Sequence, residues 1–247
     1  MIGLFALALA SGLLIGCVGI GGVLLVPVLS LAGIDVHDAI AASMFTFIFS
    51  GVIGIWLYQR EGSIAWESAI WLGVGAAPGA LVGAVVASRL SGTVLLIFVG
   101  VTVVISGVRS LLRLPDSRKG RHLPPSALAR LGGAVGVVSS LTGTGGPVVL
   151  VPLLLWLGVP VLTAVGLSQA VQVPIAMLAT IGHLWTSHFD LRLAVVLAIG
   201  IAVGSAVGAR IAHAIPTLAL ARLVAIVLVS VGLLVLVRSG YAFMAAL

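Results

Sequence analysis

A chain of 247 residues that is 61% apolar and only 7% charged excludes a soluble globular protein, in which roughly a quarter of the residues carry charge. Long charge-free apolar runs predict a polytopic membrane protein instead. The net charge of +6 falls mostly in one loop, which the positive-inside rule explains better than nucleic-acid binding. The single cysteine, Cys17, excludes an internal disulfide.

The first apolar run, 1–31, carries no charge and contains Gly19-Ile20-Gly21-Gly22, followed by Pro27. One helix of that length would reach roughly 45 Å, well beyond the roughly 30 Å hydrocarbon core. Because glycine pairs and interior prolines weaken helices, we predict a helix broken near the glycines and a short second piece. No Lys or Arg precedes the run, so we interpret it as a mature membrane segment and not as a signal peptide.

Polar turns separate three further expected spans of the first half: 39–58, 64–88 and 93–112. The segment 109–130 is the only strongly charged part of the chain, with six Lys or Arg residues against Asp116 alone. The positive-inside rule predicts a cytoplasmic linker there, and contact with anionic lipids is compatible with that reading.

The second half of the chain repeats the first. A shift of 125 residues pairs residues of one type along both halves: Pro27 with Pro152, Gly33 with Gly158, Ser43 with Ser168, and Gly75, Gly79 and Gly83 with Gly200, Gly204 and Gly208. The glycine cluster returns at a shift of 124 as Gly143-Thr144-Gly145-Gly146, because one residue, with Pro147 as the candidate, is inserted there. The second broken segment and its three following spans are expected at 128–157, 162–185, 191–213 and 218–237.

The expected fold is an all-α polytopic membrane protein with about eight transmembrane helices in two internal repeats. The first helix of each repeat is broken at its Gly-Gly/Pro motif. Transmembrane repeat 1 is expected at 1–112, a charged cytoplasmic linker at 113–126 and transmembrane repeat 2 at 127–247.

Two topologies fit this pattern. If every apolar segment crosses once, both termini are cytoplasmic and the repeats are parallel. If each glycine-broken segment dips in and returns, each half crosses three times and the repeats are inverted. We prefer the first, although it places Arg89 and Arg210 on the outer side, which the positive-inside rule does not favour.

Sequence signatures of enzymes and of metal sites are absent, including His-Glu-x-x-His, Gly-x-Ser-x-Gly and Cys/His clusters at metal spacing. No Asp or Glu lies deep in a span, so an intramembrane carboxylate catalyst or proton carrier is not expected. We expect no enzyme activity, no metal and no cofactor. His183, Trp185 and His188 near the end of a span are interpreted as an interfacial cluster, with a proton-linked role as the alternative.

The glycines divide into two kinds. Those at spacing four in the third span of each half are predicted to let helices pack closely. The contiguous clusters that precede a proline are predicted to expose free N–H groups at the start of a half-helix, where an anion binds well. Close packing alone is the alternative interpretation of these clusters.

The residues predicted to contact a substrate are the two glycine clusters with nearby hydroxyl and amide side chains: Gly19, Gly21, Gly22, Ser43, Gly143, Thr144, Gly145, Gly146, Ser168, Gln169 and Gln172. The predicted helix-break prolines are Pro27, Pro147 and Pro152. Gln169 and Gln172 lie three residues apart, so one helix face carries both, either towards substrate or in interhelical hydrogen bonds.

Two four-segment halves that each open with Gly-x-Gly-Gly and a following Val-Pro resemble the TauE/SafE sulfite exporter family of membrane permeases. The resemblance covers nearly the whole chain. Val23 and Pro147 stand where the family often has a third glycine. Membership would imply movement of small sulfur-containing anions such as sulfite or organosulfonates.

The leading hypothesis is a secondary transporter of small anions that works by alternating access, in a multi-pass protein of the cell membrane, which in a bacterium is the inner membrane. A passive anion channel, a membrane scaffold and an intramembrane enzyme are the alternatives. The expected partners are a small anionic substrate and the lipid bilayer, without nucleic acid, and association with further copies of the chain stays open.

Overall fold

The computed structural model is all-α in the residues that it describes, which are 2–19, 21–112, 123–184, 190–214, 222, 225–226, 229–230, 232–234 and 236–237. The helices are α1 (Ile2–Val18), α2 (Leu25–Leu31), α3 (Val36–Arg60), α4 (Trp66–Ala87), α5 (Gly92–Leu112), α6 (Pro125–Thr142), α7 (Pro147–Trp156), α8 (Val161–Leu184) and α9 (Leu191–Ala214). A one-turn 3-10 helix, Gly21–Leu24, precedes α2. Most of the predicted linker and much of the last predicted span lie outside the described residues.

Four helices of the described part, α3, α4, α8 and α9, are long and apolar enough to cross a membrane. Their outer faces carry large apolar side chains such as Val52, Ile70 and Ile199, each more than half exposed. Apolar surface of that extent marks contact with lipid and not with water. The apolar helices at the two glycine breaks are shorter than the roughly 20 residues that a full span needs.

The first broken segment turns back on itself at its glycine cluster. Gly21 packs against the Ser11 carbonyl oxygen of α1, and a Cβ added to Gly21 would lie 2.8 Å from Ile15 N. In a straight helix ten residues would separate Gly21 from Ser11 by about 15 Å along the axis. α1 and α2 are therefore the two arms of a hairpin, which we call hairpin 1 (residues 2–31).

The end of α1 lies at the same end of the bundle as the end of α3. The Tyr58 hydroxyl, in the last turn of α3, donates a hydrogen bond of 3.0 Å to the Gly16 carbonyl oxygen. A segment that crossed once would instead have its midpoint level with the middle of α3. The chain therefore reverses direction within 1–31, because glycines let the second arm fold back onto the first, and this favours the topology that dips in and returns over the preferred single crossing.

α1 packs along α9 and α4 packs along α6, and both pairs run parallel. Residue numbers increase together in the contacts of each pair, which are Gly12 with Ile201 and Gly16 with Ser205 for α1 and α9, and Gly75 with Ala129, Gly79 with Gly133 and Gly83 with Val137 for α4 and α6. In each case the glycine meets a backbone carbonyl oxygen where any Cβ would stand. Gly204 and Gly208 meet carbonyl oxygens of α1 in the same way, and a Cβ added to Gly200 would lie 2.8 Å from Ala8 Cβ of α1. The predicted packing role of the spaced glycines is therefore confirmed.

The two helices at the centre, α3 and α8, are the most buried of the four span candidates. They cross in antiparallel directions, with Gly51 against Val173 and Gly54 against Gln169. Hairpin 1 and the second broken segment pack around this crossing. We call α6 with α7 hairpin 2 (residues 125–156), because Leu128 near the start of α6 and Leu154 near the end of α7 line one cavity. The centre of the bundle is therefore where both glycine clusters lie.

Two of the three predicted helix-break prolines do not break a helix. Pro27 is the third residue of α2, and Pro152 lies inside α7. Pro27 is tolerated because N–H groups of a first helical turn have no intrahelical acceptor, so a missing one costs little there. Pro147 is the first residue of α7 and does mark a helix start, as proline often does.

Candidate functional site

The two glycine clusters face each other in the buried centre of the bundle. A Cβ added to Gly22 would lie 2.8 Å from the Thr144 carbonyl oxygen, and one added to Gly19 would lie 3.1 Å from Pro147 Cβ. From the other side, one added to Gly143 would lie 2.8 Å from Val26 Cγ2 of α2. The structure thus brings the two predicted backbone breaks together, and it does so without any space for larger side chains.

Backbone conformation explains why glycine stands at the turns. Gly19 has φ +78°, Gly143 and Gly145 have φ +66°, and Gly146 has φ +44°. L-residues with a Cβ rarely adopt these values. Gly143 also ends α6 in the left-handed conformation, and the Thr144 N–H then bonds back to the Ser139 carbonyl oxygen at 3.2 Å. Both breaks are therefore set locally by glycine.

The start of α7 presents hydrogen-bond donors without acceptors. Among the residues that the structure describes, the backbone N–H groups of Gly145, Gly146 and Val148 have no hydrogen-bond partner. No side chain caps the helix either. Such a terminus carries partial positive charge from its free donors and the helix dipole. Because no Asp, Glu, Lys or Arg of the described part is buried, the surroundings of this terminus are neutral.

Gln172 and Gln169 tie α8 to its neighbours. Gln172 Nε2 donates to the Phe47 carbonyl oxygen at 2.9 Å and to Ser50 Oγ at 2.5 Å, both on α3. Gln169 Nε2 donates to the Ile15 carbonyl oxygen at 2.9 Å, in the last turn of α1. Of the two interpretations left open, interhelical hydrogen bonding is therefore present in this structure.

The predicted hydroxyl side chains bond mainly within their own helices. Ser43 Oγ donates to the Ala39 carbonyl oxygen and Ser168 Oγ to the Val165 carbonyl oxygen, each at 2.7 Å. Ser168 lies beside the first break, since its Oγ would be 3.3 Å from a Cβ on Gly19. Thr144 Oγ1 lies 2.8 Å from Thr142 Oγ1 at the second break. Ser168 and Thr144 are thus at the clusters, whereas the hydrogen bond of Ser43 stays within α3.

Phe47 is the central residue that the sequence interpretation missed. A Cβ added to Gly22 would lie 2.6 Å from Phe47 Cζ, and one added to Gly145 would lie 2.5 Å from Phe47 Cδ2. The ring therefore stands between the two breaks. The available signal was the shift of 125 residues, which places Phe47 on Gln172, but an apolar residue in an apolar span gave no reason to select it.

His183 is not at an interface. It is 1% exposed, and its Nε2 lies 3.2 Å from the Ser140 carbonyl oxygen of α6. The helix end that looked interfacial is covered by α4 and α6, which explains the difference. Trp185 and His188 lie outside the described residues.

A cavity of about 260 Å³ lies at the end of the bundle where the linker enters α6. Its walls come from the starts of α4, α6 and α8 and the end of α7, with Leu128, Leu154 and Leu167 among the lining residues. Ser68 and Thr163 are its polar side chains. Leu167 directly precedes Ser168, so the cavity approaches the first glycine cluster from that end. In the described part of the chain, no group of three His, Cys, Asp or Glu side chains could hold a metal.

Comparison with known proteins gives one curated relative and one family. The chain is 27% identical over 234 residues to the probable membrane transporter protein YdhB of Bacillus subtilis (strain 168), which covers 91% of this chain and 96% of that relative. No solved structure matches the chain. The family described as sulfite exporter TauE/SafE matches residues 4–235, which is nearly the whole sequence. The chain is a membrane protein that belongs to the TauE/SafE sulfite exporter family.

Proposed function

We propose that this protein is a secondary transporter of small oxyanions, with sulfite and simple organosulfonates as the first substrates to test. The observation that carries the proposal is the start of α7, where the N–H groups of Gly145, Gly146 and Val148 lack acceptors among the described residues. Donors of this kind attract anions. The family description, which names sulfite, supports the choice of a sulfur oxyanion.

A neutral site suits transport better than a buried charge would. An Arg or Lys at mid-membrane costs at least a few kcal/mol, and a cation held there would release its anion slowly. Backbone dipoles and amide or hydroxyl groups replace the hydration shell of the anion without that cost. Gln169, Gln172 and Ser168 are the proposed substrate-facing side chains, and each would exchange its protein acceptor for the anion when the anion binds.

Alternating access is supported by equivalent contacts in the two halves. The Tyr58 ring bonds the Gly16 carbonyl oxygen, and the His183 ring bonds the Ser140 carbonyl oxygen. Tyr58 and His183 are 125 residues apart, and Gly16 and Ser140 are 124 residues apart. These two separations are the shifts that relate the two halves of the sequence. The first helix of each half runs parallel to a helix of the other half: α1 to α9, and α6 to α4. We therefore propose inverted repeats that rock about the two hairpins.

The inverted arrangement predicts on which side of the membrane three exposed residues near helix ends lie. Gly3 at the start of α1 and Ala32 after α2 should face one side of the membrane, and Glu61 after α3 the other. With Cys17 replaced by alanine, single cysteines at these positions are labelled with an impermeant thiol reagent in whole cells. Labelling of Gly3→Cys and Ala32→Cys from opposite sides would restore the single-crossing topology.

Reconstituted vesicles test the function itself. Vesicles that contain the protein and are loaded with sulfite or methanesulfonate should release the anion faster than protein-free vesicles do, and a pH gradient tests proton coupling. Accumulation against a concentration gradient would support a coupled transporter, whereas flux that only dissipates the gradient would indicate a channel. If none of these anions moves faster than through protein-free vesicles, the assignment fails.

A further inference from the structure

The Phe47 ring fills the space where hairpin 1 and hairpin 2 come closest. The side chain is 1% exposed. Its far edge, at Cζ and Cε1, meets Gly22, with 2.6 Å and 3.1 Å to an added Cβ. Its near side, at Cδ2, Cε2 and Cγ, meets Gly145, with 2.5 Å, 2.9 Å and 3.1 Å to an added Cβ. Only glycine at both positions leaves room for the ring.

The ring stands directly beside the free donors of α7. Gly145, on which the near side of the ring lies, carries one of the N–H groups without an acceptor among the described residues. An apolar ring cannot hydrogen-bond that group as an oxyanion can. The ring therefore lies beside the residues that carry the free donors, and an anion that binds these donors would come close to the ring.

The backbone of Phe47 is held by a hydrogen bond, and its ring makes only packing contacts with the two breaks. Gln172 Nε2 donates to the Phe47 carbonyl oxygen at 2.9 Å, so this hydrogen bond holds the Phe47 turn of α3 against α8. On the side of the two breaks the ring contacts Gly22 and Gly145, two residues that have no side chain. The equivalent position of the second half carries Gln172 itself, so the second repeat supplies no matching ring from that position.

We propose that Phe47 is the gate and the size-determining residue of the transport path. Its ring closes the space between the two glycine clusters, turns aside when an anion binds at the start of α7, and limits how bulky that anion is. Gln172 is a positioning residue for the gate. The inference rests on the proposed function, because it assigns a role in anion passage.

A series of sulfonates of increasing size tests the gate. The variants are Phe47→Ala and Phe47→Leu, and the matched control is Phe49→Ala, because Phe49 lies on the same helix but is 42% exposed on the outer face. The measured quantity is the ratio of benzenesulfonate to methanesulfonate flux in vesicles. Phe47→Ala should raise the ratio by about tenfold or more, Phe47→Leu by less, and Phe49→Ala should leave it unchanged.

A second readout does not depend on transport. In a Cys17→Ala background, Thr144→Cys places a thiol at the second break, one residue before Gly145, at a position that is 2% exposed. The anionic reagent methanethiosulfonate ethylsulfonate should modify this thiol about tenfold faster when Phe47→Ala is added, and no faster with Phe49→Ala. Unchanged thiol reactivity together with an unchanged flux ratio would overturn the gate. If the protein moves no anion, the proposed function fails, and the thiol rate alone then decides whether Phe47 closes the space.

Discussion

Replacing Gly145 with alanine is expected to abolish anion transport while the protein still folds. Gly145 has φ +66°, a conformation that costs an L-residue roughly 1–2 kcal/mol. The added methyl would also lie 2.5 Å from Phe47 Cδ2, so the ring or the hairpin must move. Either shift displaces the N–H groups at the start of α7. The measurement is sulfite flux in vesicles, with the melting temperature in detergent as the test of folding.

Gly62→Ala is the matched control for this substitution. Gly62 has φ +65°, which is nearly the same conformation, but an added Cβ would meet nothing within 4 Å. The control therefore carries the backbone strain without the clash, and it should keep its transport activity. Full activity in Gly145→Ala, or equal losses in both variants, would show that the close approach of hairpin 2 to Phe47 does not matter for transport.

The positions of the helix breaks could be predicted from the sequence, but the direction of the chain after them could not. Glycine pairs show that a helix ends, because their conformational freedom is a local property. The return of α2 depends on contact between Gly21 and Ser11, which is tertiary. Arg210 was the sequence feature that argued against the single-crossing topology, which places it on the outer side. In the hairpin arrangement it lies at the end of the bundle where the linker enters, as the positive-inside rule favours.

The candidate site was predicted unevenly for a related reason. Polar residues in an apolar span are costly, so Gln169 and Gln172 could be selected from composition alone. The acceptors of the two glutamines depend on which helices pack against α8, and no local sequence pattern indicates that packing. Phe47 gave no signal because its importance comes from two glycines on distant segments, and a ring between them has no local pattern.

In the proposed alternating-access mechanism, the two sequence repeats and the two hairpins would together form the transport site. Each half supplies one hairpin and one central helix, and the hairpins meet where the central helices cross. Rocking one half against the other would open the contact from either end. The cavity of about 260 Å³ at the linker end lies between the starts of α4, α6 and α8 and the end of α7, and we expect such an opening to begin there.

Replacing Gly79 with leucine is expected to separate α4 from α6 and to cost about 3 kcal/mol or more of stability. Gly79 meets the Gly133 carbonyl oxygen where a Cβ would stand, and both partners at that point are backbone, which cannot rotate away. Gly73→Leu on the same helix is the control, because the nearest atom to an added Cβ there, Pro174 Cγ, is 3.7 Å away. Both substitutions add the same apolar side chain and the same helix propensity. We therefore expect a large fall in melting temperature and in folded yield for Gly79→Leu alone. Equal stability of the two variants would mean that close contact between α4 and α6 contributes little to holding the bundle together.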